Sequence, residues 1–141
     1  MRLVIDTNII FSALLSSNPR EIQILENQYY NTFYCQLSTI EIFKYKEKIL
    51  SLSKLSEKEI LSNYYEVLKH LQVLHEKDIP IEIRKRAERM CGEVDMKDTV
   101  FVAASIMLDA YLWTGDKKLR EGLSKKGFTN TISTVEILSR H

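Results

Sequence analysis

Four acidic residues stand at comparable places along the chain, each at the junction between an apolar segment and a helix-forming one. Asp6 directly follows Arg2-Leu-Val-Ile5, Glu41 lies early in the helical stretch that follows Thr32-Phe-Tyr-Cys35, Asp98 begins the most apolar helical stretch, and Asp116 follows Ala110-Tyr-Leu-Trp113. Each reads alone as a helix cap, worth about 0.5–2 kcal/mol. Asp6 is flanked by Thr7 and Asn8, which cap equally well. Glu41 stands three residues after Ser38 in capping-box spacing, Asp98 stands in a similar relation to Asp95, and Asp116 precedes the helix that begins at Lys117. Read together they allow another chemistry. Four carboxylates gathered on one edge repel one another and raise each other's pKa, and a hard divalent cation relieves that conflict. Oxygen-only ligation, with no His or Cys close by in sequence, points to Mg²⁺ or Mn²⁺ rather than zinc. His70, His75 and His141 lie away from every acid motif, which argues against His-based general acid–base catalysis. There is no Gly-rich phosphate loop and no nucleophile elbow.

The elements that must position these acids follow from hydrophobic pattern and capping signals. Strands are expected at residues 2–5, 32–35, 110–113 and 131–133, the last being short. Helices are expected after Asp6, from Asn18-Pro19, from Ser38, from Ser56-x-x-Glu59 to about Leu74, from Pro80, from Asp95 to near Asp109, after Asp116 to about Gly127, and from Thr134. Strands alternating with helices indicate a parallel α/β sheet covered on both faces. In such a sheet the strand C-termini and the following helix N-termini share one edge, and ligands bind there at the switch point of strand order. The stretch 38–75 reads as an inserted helical hairpin. With 141 residues, 45% of them hydrophobic, and only 4 Gly and 2 Pro, the chain reads as a single domain over 1–141 and not as a collagenous or disordered one. Residues 99–108 are the longest uncharged apolar run, too short to span a bilayer. No secretory leader is read at the N-terminus. Cys35 and Cys91 match no zinc spacing and are too few for a disulfide scaffold, so a cytoplasmic location is expected.

At four places the sequence resembles the PIN-domain ribonucleases. Val4-Ile5-Asp6-Thr7-Asn8 resembles their opening motif, and Glu41 their second acid. Asp95-Met-Lys-Asp98-Thr-Val-Phe-Val-Ala-Ala104 resembles the segment with their third acid, and Leu112-Trp-Thr-Gly-Asp116-Lys-Lys-Leu119 the strand end with their fourth. Order and approximate separation agree over the whole chain. The resemblance is greatest to the VapC-type toxins of toxin–antitoxin pairs, with a departure after the fourth acid, where Lys117, Lys118 and Leu119 stand in place of a small polar residue and an aromatic. It implies a PIN-like three-layer α/β/α sandwich with a short, mostly parallel central sheet. It also implies a metal-dependent endoribonuclease that hydrolyses RNA phosphodiester bonds with one or two Mg²⁺ or Mn²⁺ ions. By matching position, Asp6, Asp98 and Asp116 would hold the metal directly or through water, and Glu41 would complete the cage. Asn8 and Thr114 would orient a carboxylate or a metal-bound water, and Asp95 would support the site or act as a cap.

Net charge is +1, which carries no message by itself. With four of the 19 acidic residues neutralised by metal, 15 remain against 20 basic ones. Lys44, Lys46 and Lys48, alternating along one helix, and Lys117 and Lys118 beside the fourth acid are candidate RNA contacts, although solvated helix faces carry the same pattern. The resemblance also implies a homodimer and an antitoxin protein partner. Ile42, Phe43, Ile49, Leu50, Leu52 and Leu55 in the inserted helices offer more apolar surface than a small hairpin buries, and mark the expected partner surface. A catalytically silent PIN-like module that binds RNA or protein is the alternative. A receiver-like regulatory domain fits poorly, because Thr7-Asn8 follow Asp6 where that class needs a second acid.

Overall fold

The computed structural model describes residues 1–92 and 96–140. Its centre is a five-stranded sheet of β1 (Arg2–Ile5), β2 (Asn31–Cys35), β3 (Leu71–Leu74), β4 (Tyr111–Trp113) and β5 (Thr131–Ile132), in the order β3-β2-β1-β4-β5, with every pairing parallel. The chain builds outward from β1 to β3, then returns to place β4 on the other side of β1. The order therefore reverses at β1, and a crevice opens at the carboxyl ends of β1 and β4.

Central parallel strands are buried on both faces, and β1 shows it: Leu3, Val4 and Ile5 are all at most 1% exposed. Alternation along the strand sends Leu3 and Ile5 to one core and Val4 to the other. Trp113 joins the first core and Leu112 the second. The first core is closed by α1 (Thr7–Leu15), α2 (Arg20–Glu26), α3 (Gln36–Lys44), α4 (Lys46–Leu52), α5 (Glu57–Leu68) and α9 (Thr134–Ser139), through residues such as Ile10, Leu14, Ile24, Ile42, Ile49, Val67 and Ile137. The second is closed by α6 (Ile81–Cys91), α7 (Met96–Leu108) and α8 (Lys117–Lys125), through Ala87, Phe101, Ala104, Leu119 and Leu123. Helices thus cover both faces, as the sequence pattern predicts. None of the described helices is long and apolar enough to cross a membrane.

Two local expectations change. The helix expected to run to about Leu74 stops at Leu68, and residues 71–74 form edge strand β3. Its burial runs partly exposed, exposed, exposed, buried, with Val73 48% exposed. An edge strand of that kind lacks the apolar alternation by which strands are recognised. The segment between β2 and β3 is therefore three helices, with Tyr45 at the break between α3 and α4. Second, Ser38 is not a cap. Helix α3 starts at Gln36 with Cys35 in the cap position, and Ser38 is fully buried inside it. The capping box expected at Ser56 and Glu59 is present in both directions. Both cysteines are free and buried. Burial, reinforced by the charge of Glu76, pushes the Cys35 thiol up to about 12.

Candidate active site

The site is built from the turn that ends β1. The Asp6 amide donates to the Trp113 carbonyl at 3.0 Å, carrying the β1–β4 ladder one residue past the strand. Asp6 then caps α1, with Oδ1 accepting from the Asn8 amide at 3.2 Å. Its other oxygen, Oδ2, accepts from the hydroxyl of Thr114 at 2.8 Å. Asp6 is 3% exposed and Thr114 is fully buried, so this is a charge-assisted bond in a site of low dielectric.

Thr114 follows β4 directly and links the first acid to the fourth. While its Oγ1 donates to Asp6, it accepts from the Asp116 amide at 3.1 Å. Asp116 in turn caps α8, Oδ1 accepting from the Leu119 amide at 3.0 Å. The capping reading of Asp6 and Asp116 is thus correct as geometry. It does not exhaust either carboxylate, since an ionised carboxylate has about four acceptor sites.

Glu41 is held differently. Its Oε1 accepts from Thr7 Oγ1 at 2.7 Å, and Thr7 Oγ1 lies 2.7 Å from Ser38 Oγ. The Thr7 proton is committed to Glu41, so Ser38 donates to Thr7, giving a chain from Ser38 through Thr7 to Glu41. Thr7 and Ser38 are buried at 1% and 0% exposure. Because Thr7 follows Asp6 in the chain, this relay ties the second acid to the first. Asp98, in the first turn of α7, lines a cleft of about 400 Å³ together with Asp116, Cys91 and Lys118. Glu41 lines a separate cleft of about 310 Å³ with Asn8, Tyr45 and Lys48. Among the described residues, no three of the four carboxylates bring oxygens within 4.8 Å of one another. Asp95 lies outside the described residues.

The lysines divide. Lys118 stands on the Asp98–Asp116 cleft, whereas Lys117 faces a different groove shared with Arg120 and Glu136. Lys44 lies 5.4 Å over the ring of Tyr45, which itself lines the Glu41 cleft. Of the three alternating lysines Lys44, Lys46 and Lys48, it is Lys48 that lines the Glu41 cleft. Sequence reasoning misses three residues. Thr7 and Ser38 carry only capping signals in sequence. Cys91, which matches no zinc spacing, lines the cleft with Asp98 and Asp116. Burial raises its thiol pKa, against a hydrogen bond with Thr99 and with help from the Asp98 charge. It is therefore a neutral thiol at neutral pH, and the ligands on offer remain hard oxygens.

A parallel sheet reversing at β1, with Asp6 at the end of β1 joined through Thr114 to Asp116 after β4, defines an α/β domain with two of the acids linked at its switch point. The chain belongs to the PIN domain family, whose model matches residues 4–137. PIN domains are generally nucleases. The fold is similar to that of PAE2754 from Pyrobaculum aerophilum, at 16% identity and a TM-score of 0.69 over 99% of this chain and 88% of that one. It is also similar to a PilT N-terminus domain protein from Sulfolobus solfataricus, at 18% identity and a TM-score of 0.60 over 99% and 92%. A third similar structure is VapBC2 from Rickettsia felis bound to a DNA fragment from their promoter, at 17% identity and a TM-score of 0.60 over 94% and 97%. No curated protein is significantly similar to the chain.

Proposed function

We propose that the protein is a divalent-metal-dependent endoribonuclease acting on single-stranded RNA, and the toxin of a toxin–antitoxin pair. The observation that carries this reading is the hydrogen-bonded path Asp6–Thr114–Asp116 at the switch point, with Glu41 tied to its start through Thr7. Asp6, Asp98 and Asp116 would hold Mg²⁺ or Mn²⁺, directly or through water, and Glu41 would complete the set. Carboxylates that reach the ion partly through water suit Mg²⁺, which keeps several of its waters. When bound, the metal supplies activation of a water nucleophile and charge stabilisation at the leaving oxygen of an in-line displacement.

The chain's own residues do the positioning. Thr114 fixes Asp6 from one side while the α1 capping bond fixes it from the other. Ser38 and Thr7 hold the Glu41 carboxylate in one orientation. Lys118 and Lys48, one on each cleft, would take the phosphates flanking the scissile bond. The family membership and the similarity to a VapBC complex support the toxin reading and an antitoxin partner, and a homodimer belongs to the same proposal. The exposed apolar residues for those contacts are Ile40, Phe43, Leu52, Leu61 and Tyr65 on α3–α5, with Phe43 81% exposed. Ile42 and Ile49, expected on that surface, are instead buried in the core. A cytoplasmic location belongs to the same reading.

The test is cleavage of an end-labelled single-stranded RNA. The wild type is expected to cut internally with Mg²⁺ or Mn²⁺ and not with EDTA, and Asp98→Asn and Asp116→Asn to be inactive while folded. A wild type that binds the RNA without cutting it under any divalent metal would support the silent module instead.

A further inference from the structure

Away from the acidic cleft, one group of metal-ligating side chains is unaccounted for. Glu26, the last residue of α2, Glu66, in the last turn of α5, and His70, two residues beyond that helix, each place a ligand atom within 4.8 Å of the others. Among the described residues this is the one group of three or more that does so. We propose that Glu26, Glu66 and His70 form a second cation site, for a borderline transition-metal ion of the Zn²⁺ type, that clasps the end of α2 to the end of α5.

Four observations carry it. Glu66 and His70 are four residues apart, where a helix stacks side chains on one face, and the backbone stays helical through Lys69 at φ −66° and ψ −16°. One imidazole nitrogen with two carboxylates is a set that zinc accepts, leaving a fourth position for water, and that Mg²⁺ does not favour. Tetrahedral ligands on bonds of about 2.1 Å lie about 3.4 Å apart, so the exposed Glu26 side chain needs only a small rotation. His70 Nε2 is shut off from solvent and has no hydrogen-bond partner among the described residues. A buried polar atom in that state costs stability, and ligation through Nε2 would satisfy it.

Charge agrees. Lys69 pairs with Glu66 at 2.9 Å, and its ammonium also feels Glu26. One ammonium cannot neutralise two carboxylates, whereas a divalent ion can, with Lys69 as its competitor. The location separates this site from the other. Glu26 leads into β2 and His70 immediately precedes β3, so the group lies at the amino edge of the parallel sheet. The four acids lie at the carboxyl edge, a strand length or roughly 13 Å away.

The test uses tag-free, metal-free protein titrated with Co²⁺ as a spectroscopic stand-in, followed by displacement with Zn²⁺. The wild type should show visible d–d absorption that zinc abolishes. His70→Gln and Glu26→Gln should each weaken binding by at least the ~10–100-fold that losing an outer-shell partner costs, while Lys69→Gln should tighten it. Asp6→Asn and Asp98→Asn should leave it unchanged, which separates this site from the proposed nuclease site. No Co²⁺ absorption in the wild type, absorption that survives both His70→Gln and Glu26→Gln, or absorption lost in Asp98→Asn would each overturn the proposal.

Discussion

Replacing Thr114 with valine removes one hydroxyl and changes shape hardly at all. In the structure that hydroxyl makes two bonds, donating to Asp6 Oδ2 at 2.8 Å and accepting from the Asp116 amide at 3.1 Å. A bond to a charged group contributes about 1.5–3 kcal/mol, and one to a neutral amide about 0.5–1.5. The first is fully buried. The second lies beside exposed Asp116, whose amide water can partly serve once the hydroxyl is gone. Thr114→Val should therefore cost about 2–4 kcal/mol. For a chain of this size one kcal/mol corresponds to about 4 °C, so Tm should fall by roughly 8–16 °C. Thr114→Ser is the control. It keeps the hydroxyl and loses one buried methyl, for about 1 kcal/mol. Thermal unfolding followed by circular dichroism, in metal-free buffer, measures both. A valine variant as stable as the serine variant would refute the claim that this hydroxyl organises the two acids.

Glu41→Gln should abolish RNA cleavage at nearly unchanged stability, since the amide oxygen can still accept from Thr7; full activity in a cleavage assay would return Glu41 to a structural role. Phe43→Asp combined with Leu52→Asp, at two exposed positions, should weaken self-association in sedimentation equilibrium without lowering Tm; an unchanged association constant would move the interface elsewhere. Cys35, raised to about 12 in the folded state from an ordinary value near 9, binds its proton more tightly when folded. Its contribution is complete below pH 9 and is lost as pH rises from about 9 to 12, at about 1.4 kcal/mol per pH unit. Urea unfolding at pH 8 to 10.5 should show that fall, reduced in Cys35→Ala. An identical slope in the variant would contradict it.

What was legible in the sequence was what local chemistry dictates. The run Arg2–Ile5, buried on both sides, and the strand ending at Trp113 carry their own signal, and so do the caps at Asp6, Ser56 and Asp116. The parallel architecture followed, and with it the placement of Asp6 and Asp116 at the carboxyl ends of β1 and β4. β3 was not legible because an edge strand with Val73 turned outward shows no alternation. The role of Ser38 was hidden because a serine three residues before a glutamate is the signature of a capping box. Here the serine is buried within the first turn of the helix and faces Thr7. Glu26 beside His70 is a contact between elements distant in sequence, and Cys91 meets Asp116 in one cleft from an element also distant in sequence. No spacing rule reaches them.

The central claim is that acids from four separate segments act together in one divalent-metal site. Mn²⁺ titration of metal-free protein, with free Mn²⁺ counted by electron paramagnetic resonance, tests it most directly. Asp6→Asn, Asp98→Asn and His70→Gln are titrated beside the wild type. We expect the wild type to bind Mn²⁺ saturably, both aspartate variants to lose that binding, and His70→Gln to keep it. Equal Mn²⁺ binding by the wild type and both aspartate variants, or none by any of them, would contradict the account.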